Sequence, residues 1–451
     1  MLRPIFVKSA LGILLLTAAL AGLAGPGAAQ QFDVINLGTL GGNLSRAYAI
    51  NDSGVVTGMS LSGGLPSVAR AVRWRDLVIE DLGSLGGPSA EGYAISHHGT
   101  VAGYAQDGSS RPRAFRRDGL GIEDMGTLGG TVSYAYGIND SGAVVGNSTL
   151  PGDVTTHAFV RRPDGTIVDL GTLPGGDRSY AYAISDSGWI VGHSYVTGGV
   201  HAYLLPPRKT ALYDLGTLGG SNSYAYAVRE ALGRQYVVAG SAQTAGNASQ
   251  AACLWDWIRR KKNLGTLGGT FGAAYALNDR DEAVGSSLTV GGEMHAFLWS
   301  SPGPMVDLNT CIPPDSGWTL VEARGINNRG EIVGIGIRSG ETRAFLLRPS
   351  TAVAVESRSG ARVRFAGASP NPMSKNTLLA FELAAPGLVQ MELFGVDGRR
   401  VRSWEGTFSS GRHNLEWDGR DERGGDAGSG LYWARLRAGG QELTRKLVRV
   451  R

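Results

Sequence analysis

The sequence predicts an all-β protein: a seven-bladed β-propeller of four-stranded blades, followed by a small β-sandwich. Three observations predict it. A Leu-Gly-Thr-Leu-Gly-Gly stretch stands at 37–42, 82–87, 125–130, 170–176 (with one Pro inserted), 215–220 and 264–269, and a worn seventh copy starts at Leu308. The steps between copies are 45, 43, 45, 45, 49 and 44 residues, a period that fits propeller blades. Between copies, alternating apolar residues and frequent turn residues read as short strands, with no long amphipathic helix pattern. Finally, the chain holds 69 Gly in 451 residues and is only 18% charged. That is about twice the usual Gly content, with no period of three.

The chain opens on an export signal. Arg3 and Lys8 form a basic start, residues 11–23 are mostly apolar, and Gly27-Ala28-Ala29 supplies the small residues a signal peptidase needs. The apolar run is short of the ~20 residues a bilayer requires. Residues 1–29 are therefore read as a signal peptide cleaved near Ala29 or Gln30, and the mature chain is expected to hold no transmembrane span. The expected destination is secreted, extracellular or at the outer cell surface.

The third unit displays the blade plan most clearly. Residues 134–139 alternate, with Tyr134, Tyr136 and Ile138 facing one way and Ala135 and Gly137 the other. Asp140-Ser141-Gly142 is a tight turn. Residues 143–147 form a second strand, 157–161 a third and 166–170 a fourth. Across the units the second strand is expected to end in Gly (Gly58, Gly103, Gly146, Gly192, Gly240, Gly285, Gly334). The third carries Ala (Ala71, Ala114, Ala158, Ala202, Ala252, Ala296, Ala344). A Gly inside a strand implies close backbone approach. Tyr48, Tyr93, Tyr136, Tyr182, Tyr226 and Tyr275 are expected to pack against these small residues of the adjacent sheet. The last unit lacks a fourth strand after 343–347, and the first has an extra strand, 33–37, before its inner one. Pairing the two closes the ring at residues 32–349, which favours a ring over an open solenoid.

His157-Ala158-Phe159 and His295-Ala296-Phe297 resemble the triplet that names the HAF repeats of exported bacterial proteins. Variants stand at 113–115, 201–203 and 343–345. Ile-Asn-Asp-Ser-Gly, Val-Val-Gly, Ser316-Gly317-Trp318 and Gly325-Ile326-Asn327 are similar to that family as well. Unit five departs from the pattern at 229–235, and unit seven lacks Leu-Gly-Gly. The resemblance implies export and no particular activity.

After Ser350 the period stops. Residues 350–369 read as a linker, with a first strand as the alternative over 351–368, and 370–451 as a sandwich, with strands at 378–383, 388–396, 401–405, 411–417, 430–436 and 443–450. Asn371-Pro372, 394–400, 411–415, Trp417-Asp418-Gly419-Arg420-Asp421, Ser429-Gly430-Leu431-Tyr432 and the basic end 446–451 carry a second resemblance. This segment looks like the Ig-like domain of the flagellar hook-capping protein and the C-terminal sorting domains of type IX secretion. That resemblance implies a secretion or sorting machinery as partner, with attachment to or release from the cell surface.

Net charge is +4, split as +2 in the signal, −3 over 31–351 and +5 over 352–451. With no basic run in the repeats, nucleic acid is excluded as a partner. Cys253 and Cys311 lie in different units, and their pairing is left open. His157, His201 and His295 occupy one place in three separate blades, so they read as dispersed strand residues rather than metal ligands. His97-His98 reads as an exposed hairpin turn. The Asn-Asp-Ser-Gly turns lack calcium-loop spacing. Ser185-Asp186-Ser187-Gly188-Trp189 does not match the spacing of a sialidase Asp box. The Gly-Gly pairs precede no helix and so are not phosphate loops. No catalytic, cofactor-binding or metal residues are assigned, and no cofactor is expected. The loops between second and third strands (60–69, 105–112, 148–156, 194–200, 241–250, 286–294 and 336–342) vary most and mark the expected ligand face. The expected function is non-catalytic binding of an extracellular protein or polysaccharide. The alternative is a propeller hydrolase or lyase acting on polysaccharide. A funnel of convergent acids would favour the enzyme; one lined by Tyr, Ala and Gly would favour binding.

Overall fold

The computed structural model describes residues 30–350, except 120, 232–234, 257 and 259, and residues 363–450, except 384–385 and 439–440. The signal segment 1–29 and residues 351–362 of the expected linker lie outside them. The chain divides into two compact units, Met1–Thr351 and Ala352–Arg451.

The first unit is a ring of seven four-stranded antiparallel blades. Blade three pairs Ser133–Ile138, Val144–Thr149, Thr156–Arg161 and Ile167–Asp169 in chain order. Blades one, two, four, five and six repeat this order. Blade seven takes Trp318–Ile326, Ile332–Arg338 and Glu341–Pro349 from the end of the unit and Phe32–Asn36 from its start. Phe32 lies opposite Pro349 and Asn36 opposite Phe345, and Leu37 N donates to Ala344 O at 3.1 Å. The closing strand is thus the expected one, set one residue earlier. Single parallel bridges, Val200 to Asn222 and Gln250 to Phe271, join blades four, five and six.

Buried apolar side chains of this unit fall into seven clusters, each between two neighbouring blades. One of them joins Val333, Ala344 and Leu346 of the last blade to Ala47, Val56 and Trp74 of the first, so the ring is closed by core as well as by backbone. The seven third-strand Ala are fully buried, because a neighbouring sheet lies against them. Ser45, Ser133, Ser179 and Ser223 accept the amide of Ala344, Ala114, Ala158 and Ala202 of the preceding blade at 2.8–3.1 Å. Cys253 and Cys311 are free and sit in different inter-blade cores, so they do not pair. Burial pushes the Cys253 thiol up to about 12.

The inner strands depart from the simple alternation read in the sequence. Each has a register shift with its second strand, between Ala47/Ala49, Gly92/Ala94, Ala135/Gly137, Ala181/Ala183, Ala225/Ala227, Ala274/Ala276 and Ala323/Gly325. The residue left unpaired is Tyr48, Tyr93, Tyr136, Tyr182, Tyr226, Tyr275 or Arg324. Each shift is a β-bulge, which re-aims the side chain it carries. The seven second-strand Gly face these bulges. A Cβ on Gly146 would come 1.8 Å from Tyr134 O, and the other six would come 1.8–1.9 Å from the equivalent carbonyl. The close approach expected at these Gly is present, but it comes from the blade's own inner strand. The second strands also run on past the Gly rather than ending there, as Val144–Thr149 does.

The triplet histidines are structural ties. His157 Nδ1 lies 2.9 Å from Asp169, His201 Nδ1 2.7 Å from Asp214 and His295 Nδ1 2.6 Å from Asp307. Arg70–Asp81 and Arg113–Asp124 repeat the tie at 2.9 and 3.0 Å in blades one and two. Each carboxylate belongs to the end of the fourth strand. Asp169, for instance, also accepts Gly171 N at 2.7 Å, which sets the turn into the next blade.

The second unit is a sandwich of a three-stranded and a four-stranded sheet. Arg364–Ser369, Thr377–Leu383 and Gly411–Trp417 make the first; Arg400–Phe408, Gly387–Gly395, Gly430–Ala438 and Gln441–Arg449 make the second. Of the two readings open for residues 351–368, linker or first strand, the described part bears out the strand: Arg364–Ser369 pairs into the sheet, because Phe365 is buried against Phe381 and Met391 in the common core. Trp417 Nε1 donates to Arg420 O at 2.9 Å, and Tyr432 Oη donates to Gly428 O at 3.0 Å. Buried aromatics carry polar atoms at low cost when those atoms are paired in this way. On the outer face, Glu392 is held by Arg435 at 2.7 Å and Arg400 at 3.4 Å.

Candidate ligand site in the central channel

The seven bulges bring seven side chains together around the ring axis. Tyr48 and Tyr93 have centroids 5.3 Å apart, Tyr93 and Tyr136 5.4 Å, and Tyr136 and Tyr182 5.2 Å. Tyr182 and Tyr226 are 5.5 Å apart, and Tyr226 and Tyr275 5.3 Å. The Arg324 guanidinium lies 4.3 Å from the Tyr275 ring and completes the collar in blade seven. Edge and tilted contacts of this kind contribute about 0.5–1.5 kcal/mol each. The tyrosines therefore pack on one another across blades, not on the small residues of the adjacent sheet as expected.

Two residues before the collar, the inner strands carry Arg46, Glu91, Tyr134, Tyr180, Tyr224, Ala273 and Glu322. Directly opposite on the second strands stand Met59, Tyr104, Asn147, His193, Ser241, Ser286 and Ile335. Blades two to five make this tier aromatic. Tyr104 and Tyr134 are 5.1 Å apart, Tyr180 stacks on His193 at 4.7 Å, and Tyr224 meets His193 edge-on at 5.1 Å. Tyr195, toward the second-to-third loop, lies 6.2 Å from His193, with the Arg178 guanidinium 5.9 Å from its ring. Tyr134, Tyr180 and Tyr224 are half-buried and Tyr195 is exposed.

Blades one, two and seven bring charge to the tier through Arg46, Glu91 and Glu322. Glu91 accepts from Tyr48 Oη at 2.9 Å and from Tyr104 Oη at 3.4 Å. Glu322 accepts from Arg324 Nε at 2.6 Å. Burial, with Glu91 adding to it, raises Tyr48 and Tyr93 and pushes Tyr104 up to about 12. Burial likewise raises Tyr136, Tyr182, Tyr226 and Tyr275. The collar hydroxyls are thus neutral and able both to donate and to accept. Burial lowers His193 to about 4, so its ring is neutral near pH 7.

Two polar atoms of the tier have no hydrogen-bond partner among the described residues: Asn147 Oδ1 and His193 Nδ1. They belong to adjacent blades and are 6% and 7% exposed. At the same position in blade six, Ser286 Oγ meets Tyr275 Oη at 3.1 Å, and in blade five Ser241 Oγ accepts from Gln250 Nε2 at 2.8 Å. Sequence reading missed both residues. Each is one step after the repeated Gly, where a polar residue in a strand carries no motif.

The opposite end of the channel is ringed by the hairpin turns. Asn327 Nδ2 donates to Asn51 O, Asn51 Nδ2 to Ser96 O, Asn139 Nδ2 to Ser185 O and Asn278 Nδ2 to Asn327 O, all at 3.0–3.1 Å. Backbone amides of His97, Asp140, Asp279 and Asn328 donate to Asp140, Asp186, Asn328 and Asp52 at 2.8–2.9 Å. The turn residues thus clasp one blade to the next around a mouth of about 310 Å³. In blade five the inner and second strands stay paired as far as Ala231 and Gln235, and Glu230 accepts Ser187 N at 2.8 Å. Among the described residues no group of three His, Cys, Asp or Glu is placed to hold a metal ion.

No known protein family matches the chain. No curated protein matches it. Solved structures similar to it include PorZ, an essential bacterial surface component of the type-IX secretion system of Porphyromonas gingivalis, at 11% identity and TM-score 0.34, over 89% of this chain and 64% of that one. TolB from Acinetobacter baumannii is similar at 12% identity and TM-score 0.39, over 58% and 63%. A Mycobacterium tuberculosis puromycin-hydrolyzing peptidase is similar at 11% identity and TM-score 0.44, over 78% and 61%. The chain spans less than two thirds of each of these proteins.

Proposed function

We propose that this is an exported, non-catalytic propeller that binds an extracellular ligand at the bacterial cell surface, with polysaccharide favoured over protein. The C-terminal sandwich is proposed to be an Ig-like domain that engages a secretion or sorting machinery and directs secretion or attachment. The observation that carries the binding reading is the aromatic half of the channel wall, Tyr104, Tyr134, Tyr180, Tyr195 and Tyr224, above a collar of neutral tyrosine hydroxyls. Ligand sites combine such apolar surfaces with a few placed polar groups. No helix among the described residues is long and apolar enough to cross a membrane. A second reading, an enzyme acting on polysaccharide, draws on Glu91 and Glu322, carboxylates of the same tier on either side of blade one. Both are already engaged, Glu91 by two tyrosines and Glu322 by Arg324, which supports binding over proton transfer. A glycan array probed with the purified chain tests the binding reading. Release of reducing ends from a bound glycan would replace it with the enzyme reading. Localisation of a chain truncated after Ser350 tests the role of the sandwich; unchanged delivery to the cell surface would remove it.

A further inference from the structure

We propose that Asn147, Tyr180 and His193 form a subsite for one pyranose ring of a neutral saccharide. The inference rests on the polysaccharide reading above and adds the place and the ligand class.

A buried polar atom without a partner costs about 1–3 kcal/mol, and here two lie on adjacent blades of one wall. The repeat itself shows that the cost is avoidable, because Ser241 and Ser286 fill the same position with their hydrogen bonds made. The unmet atoms also coincide with the densest aromatic packing: His193 is within 4.7–6.2 Å of the rings of Tyr180, Tyr182, Tyr195 and Tyr224. A pyranose matches that pairing. Its C–H faces stack on aromatic rings, and its hydroxyls, at the ring edge, both donate and accept. Asn147 Oδ1 accepts a hydroxyl proton. A neutral imidazole offers one donor and one acceptor, assigned by tautomer.

The charge balance points the same way. Tyr134, Asn147, Tyr180, Tyr224 and neutral His193 carry no net charge, and the nearby Arg178 has Asp177 within 4.0 Å. An acidic sugar or a phosphate would lack a counter-charge among them. Because Asn147 and His193 are nearly covered, the sugar reaches them as the half-buried Tyr180 ring turns from His193 onto the pyranose face.

The test titrates the full chain calorimetrically with cellotetraose, maltotetraose, mannotetraose and chitotetraose, and with oligogalacturonate as the acidic comparison. One neutral tetrasaccharide is expected to bind. Asn147→Ala and His193→Ala are each expected to weaken it about tenfold, and Ser241→Ala about twofold or less. Binding that survives both substitutions overturns the subsite and leaves the polysaccharide reading standing. Binding of oligogalacturonate alone overturns the neutral class. Binding of none of the five overturns both. Should either variant misfold, the His193 ring resonances of the unaltered chain decide: they shift on adding the sugar, and a sugar that binds without moving them sinks the proposal.

Discussion

Blades three and four differ from blades five and six at one position of the channel wall. In five and six that position is Ser, and its hydroxyl is hydrogen-bonded. In three and four it is Asn147 and His193, each with an atom left unpaired. The bulge and the facing Gly are the same in all four. The difference teaches that the repeat fixes where side chains point, while function is written in the few positions the repeat leaves free.

That contrast can be broken most forcefully through the backbone. Gly146→Ala in blade three and Gly240→Ala in blade five each drive a methyl onto a carbonyl at 1.8–1.9 Å. Both are expected to lose about 3 kcal/mol in the propeller transition, by urea titration. Unequal losses would mean the blades differ in frame and not merely in side chains. The next effect is of pH. His193 is held near 4, below its ordinary 6.5, because burial disfavours the charged ring. Its stabilising contribution is complete above about pH 6.5, falls as pH drops toward 4 and does not change further below that. The total is on the order of 3 kcal/mol, measurable as the pH dependence of urea midpoints. His193→Phe is expected to flatten that slope, whereas Ser241→Ala leaves it intact.

Smaller effects sharpen the same contrast. Asn147→Leu is expected to gain about 1 kcal/mol, since it removes an unpaired buried acceptor, and Ser286→Ala to lose about 1 kcal/mol, since it strips a partner from Tyr275. Thermal melts of the two variants should move in opposite directions. Outside the channel, His157→Ala is expected to cost about 1 kcal/mol or less, as the loss of one partly exposed side-chain hydrogen bond does.

The ring was legible because a 43–49-residue period and a missing fourth strand are properties of spacing. The tyrosine collar was only half legible. The six tyrosines stood out, but strict alternation hid the bulge at Tyr136 that turns its ring to the axis. The facing Gly146 was the available signal, read as proximity to a neighbouring blade. His157 was taken as dispersed rather than convergent, and its tie to Asp169 needed the third and fourth strands in register. Asn147 and His193 gave no signal, because an unmet hydrogen bond is a property of surroundings. The strand Arg364–Ser369 was legible only as one of two readings, linker or first strand, because Gly367 and Pro370 interrupt its apolar pattern.

The seam of blade seven has a further consequence. Its outermost strand, Phe32–Asn36, is made roughly three hundred residues before its partner, Glu341–Pro349, so the torus stays open until that partner emerges. Contacts of such long sequence separation slow folding. Until that partner arrives, six blades stand as an open arc, with Ala47, Val56 and Trp74 of the first blade still to be covered by Val333, Ala344 and Leu346. The last latch therefore waits for residues 341–349, in whatever compartment the chain folds.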